Sequence, residues 1–128
     1  MEKALAHLLV DEDEIGRALV AEALEPYVRL TRRGTISPLA SFDELGAEQK
    51  VLVALLSFRA MHLLGMRETE GARPAHIAEA TGVPPGTVRP ALQRLARKRM
   101  AAKAEGDYVV PLHASQRAIT ALKEPRDR

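Results

Sequence analysis

Cysteine and tryptophan are missing from these 128 residues, and Phe and Tyr occur only twice each. Without cysteine there is no disulfide framework, no thiolate metal site and no cysteine nucleophile. With so few aromatics the core must be aliphatic, drawn from Leu, Val, Ile, Met and Ala. The chain is 46% hydrophobic, enough for one compact domain, with or without a helical extension. Long apolar runs are missing too. The longest, "VLVALLSFRAMHLLG", is interrupted by Arg59 and His62 and falls short of the roughly 20 residues a membrane span needs. The opening "MEKALAHLLV" runs into "DEDE" without the small-residue cleavage site of a signal peptide. These absences predict a soluble, cytoplasmic protein.

Catalytic constellations are equally scarce. His7, His62, His76 and His113 show no i,i+4 pairing and no carboxylate at zinc-ligand spacing. His62, on the apolar run, reads as a satisfied core or interface residue. The carboxylates of "DEDE" point round a helix and do not converge, so they read as a solvated helix start that suits the macrodipole. Ser41, Ser57 and Ser115 lie in no nucleophile-elbow pattern, and there is no glycine-rich phosphate loop. No enzymatic activity, metal or cofactor is expected.

Charge is what the sequence does offer, through its distribution. Residues 1–71 carry 8 Lys/Arg against 12 Asp/Glu, residues 72–107 carry 7 against 3, and the rest carry 4 against 2. The first part is therefore acidic and the second basic, as expected for a polyanion-binding surface confined to one part of the chain.

Periodicity supplies the elements. Ala4, Leu5, Leu8 and Leu9 form a short helical stripe, and Ile15, Leu19, Val20, Ala23 and Leu24 a second one that ends before Pro26. "YVRLTRRGTIS" alternates and turns at "RRG", which predicts a small hairpin. Ser41 opens a capping-box pattern, "SFDE", and Gly46 breaks that short turn. A helix apolar nearly all round then runs from Ala47 to about Leu64, closed by Gly65. "RETEGARP" reads as a loop, with Pro74 as the first residue of the next helix. Ile77, Ala78 and Ala80 face inward from "PAHIAEA", and Gly82 ends it. In the helix that follows, Val88, Ala91, Leu92 and Leu95 form one stripe. "MAAKAEGDYVVP" then reads as a second hairpin, and "HASQRAITALK" as a final helix packing through Ala114, Ala118, Ile119 and Leu122.

The stretch "HIAEATGVPPGTVRPALQRLARKRMAAKAEGDYVVP" resembles the winged helix-turn-helix domains of prokaryotic transcription regulators. Shared features are a helix with "IA", a glycine turn, "TV" and "L..L" in the second helix, and a basic hairpin. With the helix from Ala47 included, the resemblance covers about residues 47–111. It departs from the usual pattern at Pro84, Pro85 and Pro90, where polar residues are commoner. Residues 1–46 carry no such resemblance. The resemblance implies a mostly α protein with a small β-hairpin wing. A winged helix-turn-helix domain with a C-terminal helix would span 47–128, and 1–46 would be a helical extension with a possible β-hairpin.

Helical geometry then selects candidate DNA-binding residues. At 100° per residue, the stripe of Val88, Leu92 and Leu95 puts Gly86, Pro90, Gln93 and Arg97 at the centre of the opposite face. Arg89 and Arg94 flank them, and Thr87 belongs to the same first turn. Gln and Arg can read adenine and guanine edges bidentately, while Arg97, Lys98 and Arg99 suit phosphates. Lys103 would sit on the hairpin, and Gly86 with Pro90 would leave a shallow notch where the backbone can approach DNA. The helix is expected to bend or loosen in its first turn, because Pro90 offers no N–H to the Gly86 carbonyl.

Val51, Leu52, Leu55, Phe58, Ala60, Leu63 and Leu64 look like more than one face of a small domain can cover. That surplus predicts a homodimer on a two-fold symmetric site. The expected function is sequence-specific binding of double-stranded DNA in transcription regulation. The rival is a winged-helix interaction module of a larger nucleic-acid-processing or defence complex, docking a protein through the acidic first half.

Overall fold

In the computed structural model residues 3–6, 12–111 and 114–123 are described. His7, Leu8, Leu9 and His113 lie outside them. Helix α1 (Lys3–Ala6) is followed by α2 (Glu12–Leu24), which opens on acids and stops two residues before Pro26. Strands β1 (Val28–Leu30) and β2 (Ile36–Pro38) form the antiparallel hairpin expected around "RRG", with Arg29 opposite Ser37.

The short helix α3 (Ala40–Asp43) does not begin where "SFDE" suggested. Leu39 is its N-cap and makes no side-chain cap bond, while Ser41 lies inside the helix and donates to the carbonyl of Pro26. That carbonyl sits in the turn after α2, and the neighbouring Tyr27 carbonyl accepts from the Leu39 N–H at 2.8 Å. A long-range acceptor has outcompeted the local cap.

Helix α4 (Ala47–Leu63) carries the core. Its residues from Val51 to Arg59, and Met61, are buried, because α2, α5, α6, α7 and β4 pack round it within one chain. The surplus read from the sequence is therefore smaller than expected. Val51, Leu52, Leu55 and Phe58 are covered, Ala60 and Leu63 are half-buried, and Leu64 alone of the seven stands 64% exposed. His62 is satisfied, with Nδ1 3.0 Å from the Arg67 carbonyl oxygen. Arg59, only 8% exposed, offers its NH1 to both Glu70 oxygens at 3.0 and 2.9 Å.

That ion pair helps fix the segment "RETEGARP", which is more structured than a plain loop. Arg67 donates to the carbonyls of Thr69 and Gly71, and its guanidinium lies 4.5 Å from the Phe58 ring centroid. Ala72 exchanges backbone bonds of 3.0 and 2.8 Å with Tyr108. Gly71 is glycine for a steric reason: a Cβ there would come within 2.9 Å of the Asp107 Cβ.

Helix α5 (Pro74–Thr81) ends at Gly82, whose φ of 80° is the left-handed conformation that a Cβ makes costly. Helix α6 (Pro85–Arg97) starts on Pro85 with Pro84 as N-cap at φ −59°, the value proline's ring imposes. Strands β3 (Ala102–Ala104) and β4 (Asp107–Val109) form a second antiparallel hairpin. Its two-residue turn, Glu105 at φ 53° and Gly106 at φ 91°, has the paired positive angles that match the natural strand twist. Helix α7 (Ser115–Lys123) packs Ala118, Ile119 and Leu122 against α2 and α4. The result is a mostly helical chain with small two-stranded hairpins. Residues of the first 46 (Val20, Ala23, Leu24, Val28 and Phe42) belong to the same buried cluster as α4 to α7.

Candidate nucleic-acid interface

Helices α5 and α6 pack on each other and on α4, and the stiff turn between them follows from Gly82, Pro84 and Pro85. Val88, Ala91, Leu92 and Leu95 are all buried, as the stripe predicted. The opposite face is open: Gly86, Arg89, Pro90, Gln93, Arg94, Arg97 and Lys98 are exposed, and Thr87 is half-buried. Helix α6 continues through Pro90 as one element, so the expected loosening does not interrupt it. Gly86 has helical geometry with no atom within 4 Å of where a Cβ would stand, which leaves the notch open.

The ten candidate residues do not form one uniform patch. Gly86, Pro90, Gln93 and Arg97 make a central ridge with a basic flank on each side. On one flank Arg89 and Lys103 line a groove of about 370 Å³ between α6, the start of α5 and the second hairpin. Arg73 and Tyr108 line it too, and neither was singled out in the sequence. Arg73 is the N-cap of α5, and its side chain is 80% exposed with Nε 3.5 Å from Asp107 Oδ1. Lys103 Nζ lies 5.9 Å from the Tyr108 ring centroid. The Ala72–Tyr108 bridge holds the hairpin beside α5, so backbone pairing sets the groove's width.

On the other flank the cations are already engaged. Glu48, in the first turn of α4, accepts from Arg94 Nε at 2.8 Å and from Lys98 Nζ at 2.6 Å. Burial raises the Glu48 carboxyl's proton affinity, but hydrogen bonds and charge from Lys98 and Arg94 together outweigh it. The carboxyl is held below its ordinary value. Arg94 and Lys98 are four residues apart, the spacing that lets two helical side chains grip one group. Nothing local in the sequence names a partner 46 residues away. Arg99, just past the end of α6, is exposed, and its carbonyl accepts from Arg117 NH1 at 2.9 Å.

Chemically, this surface can hold an extended polyanion, with cations on both sides of a ridge bearing Gln93 and Arg97. Among the described residues no group of three His, Asp or Glu is gathered for a metal ion, and no helix is long and apolar enough to cross a membrane. Compared with protein-family models, curated proteins and solved structures, the chain finds no match in any of the three.

Proposed function

We propose that the chain is a winged helix-turn-helix protein that binds double-stranded DNA and regulates transcription as a homodimer. Helix α6 is the recognition helix and β3–β4 the wing. One observation carries the reading: the Ala72–Tyr108 pairing draws the hairpin beside α5, so that Arg73, Arg89 and Lys103 flank the open ridge of α6. Cations stand on both sides of the exposed helix, with Asp107 beside Arg73 on one flank and Glu48 holding Arg94 and Lys98 on the other, and that arrangement suits two phosphate strands bordering a major groove. Gln93 reads a base edge from the ridge, while Arg89, Arg97, Lys98, Arg99 and Lys103 contact phosphates.

The test is anisotropy titration of the full chain against a mixed-sequence duplex at several salt concentrations. About 4–6 phosphate contacts give a slope of log affinity against log salt of roughly −4 to −5. Replacing Arg89 or Lys103 with Ala is expected to weaken all duplexes alike and flatten the slope by about one. Replacing Gln93 costs about 1–3 kcal/mol, on the preferred site only. Affinity that ignores salt and these substitutions overturns the reading.

A further inference from the structure

Away from α5 and α6, an apolar groove of about 490 Å³ runs between α2 and the C-terminal end of α4. Val20, Ala21 and Leu24 form one wall, and Ala60, Leu63 and Leu64 the other. Leu64 is one of only two large hydrophobic side chains standing exposed among the described residues. Arg17 and Ala21 on α2 and Glu25 just past its end are exposed and follow at intervals of four; the Glu25 N–H still donates to the Ala21 carbonyl at 3.0 Å, so a cation, a small residue and an anion share one face. Neither Arg17 nor Glu25 makes an ion pair among the described residues. Arg29, at the Glu25 end, commits its NH1 to the carbonyls of Glu25 and Val28, so Glu25 is the carboxylate offered there.

We propose that this groove is where two copies of the chain pair, α2 crossing its symmetry mate antiparallel at Ala21. The proposal rests on the homodimer reading above and goes further by assigning its surface. A two-fold axis at Ala21 carries Arg17 of each copy onto Glu25 of the other. Each pair then lies about 6 Å along the axis from the crossing, since a helix rises about 1.5 Å per residue. Ala21 lets the helices approach closely at the crossing. Leu64, with Ala21, Ala60 and Leu63, supplies the apolar area still to be covered, Val20 and Leu24 being already buried, and the two charge pairs fix the register. That match of the surface to itself favours a second copy over an unrelated protein. An antiparallel crossing also keeps the acidic first turns of the two α2 helices apart.

Sedimentation equilibrium of the full chain tests this, with circular dichroism to confirm that every variant is folded. The expected mass is twice the 14.0 kDa of one chain. Arg17→Glu and Glu25→Arg each turn both symmetry-related pairs repulsive and raise the dissociation constant about ten- to a hundredfold. Combining the two swaps restores pairing. Because the chain has no cysteine, Ala21→Cys provides an independent reading. It is expected to form a disulfide-linked dimer on mild oxidation, while Ala104→Cys on the far hairpin does not. A dimer untouched by the reversals, with no cross-link at position 21, overturns this face and leaves the homodimer standing. A chain of monomer mass at every concentration overturns both.

Discussion

Glu48 shows how one residue can set the balance of a whole surface. Its carboxylate draws Arg94 and Lys98 toward α4, so two of the cations nearest the proposed DNA face are partly neutralised. Glu48→Gln is expected to free both, raising affinity for any duplex and steepening the salt slope by up to about two. The folded carboxyl sits below its ordinary value, so the folded chain binds fewer protons than the unfolded one in acid. This contribution to stability is present above the unfolded value of 4.5 and is lost as pH falls through the folded value. Both cations are about half exposed, so each pair is worth only about 0.2–1 kcal/mol. Urea unfolding from pH 7 to pH 3 should therefore show a shallower acid limb for Glu48→Gln than for the parent. The cations were legible in the sequence, because a helical stripe assigns inward and outward positions without knowing the fold. Glu48 was not, since its partners depend on how α4 crosses α6.

At the scale of elements, α5, α6 and β3–β4 were legible because their punctuation is local. Gly82 must turn left-handed, Pro84 and Pro85 supply ready-made angles, and "EG" suits a two-residue hairpin turn. Ala72 was read as plain loop because a single bridging residue carries no periodicity. Ser41 misled for a related reason: a cap pattern competes with any acceptor that tertiary structure brings near. Two substitutions in α6 separate stability from binding. Pro90→Ala returns an N–H to the Gly86 carbonyl and removes a ring from the helix interior, and is expected to raise stability by about 1–3 kcal/mol. Gly86→Leu meets no atom in the fold and improves helix propensity, so the thermal midpoint should hold or rise. On the proposed DNA face, however, it fills the notch, and binding should fall at least tenfold. A Gly86→Leu protein binding at full affinity would mean that no backbone approaches DNA there.

At the scale of the whole molecule, the boundary at residue 46 drawn from resemblance separates what one core joins. Helix α4 looked over-supplied with apolar residues because its partners α2 and α7 are distant in sequence and their stripes are short. In the fold those stripes converge on it. Tyr27 donates to the Leu122 carbonyl at 3.2 Å, tying the turn after α2 to α7. A chain reduced to residues 47–128 would lose the burial of Val20, Leu24, Val28 and Phe42, each 6% exposed or less. At about 1.5–3 kcal/mol per side chain, those four contribute roughly 6–12 kcal/mol. That is comparable with the whole stability of a typical domain, about 5–15 kcal/mol. The full chain should accordingly unfold in one cooperative urea transition, with tyrosine absorbance and helical ellipticity coincident. Residues 47–128 alone should show no cooperative melt, and their α4 face should bind a hydrophobic dye. A sharp transition in that fragment would mean that α4 to α7 form an independent domain, with α2 and the first hairpin merely resting on it. The strength of the α4 core argues for the first outcome, because an apolar helix with one side bared to water has no stable alternative burial.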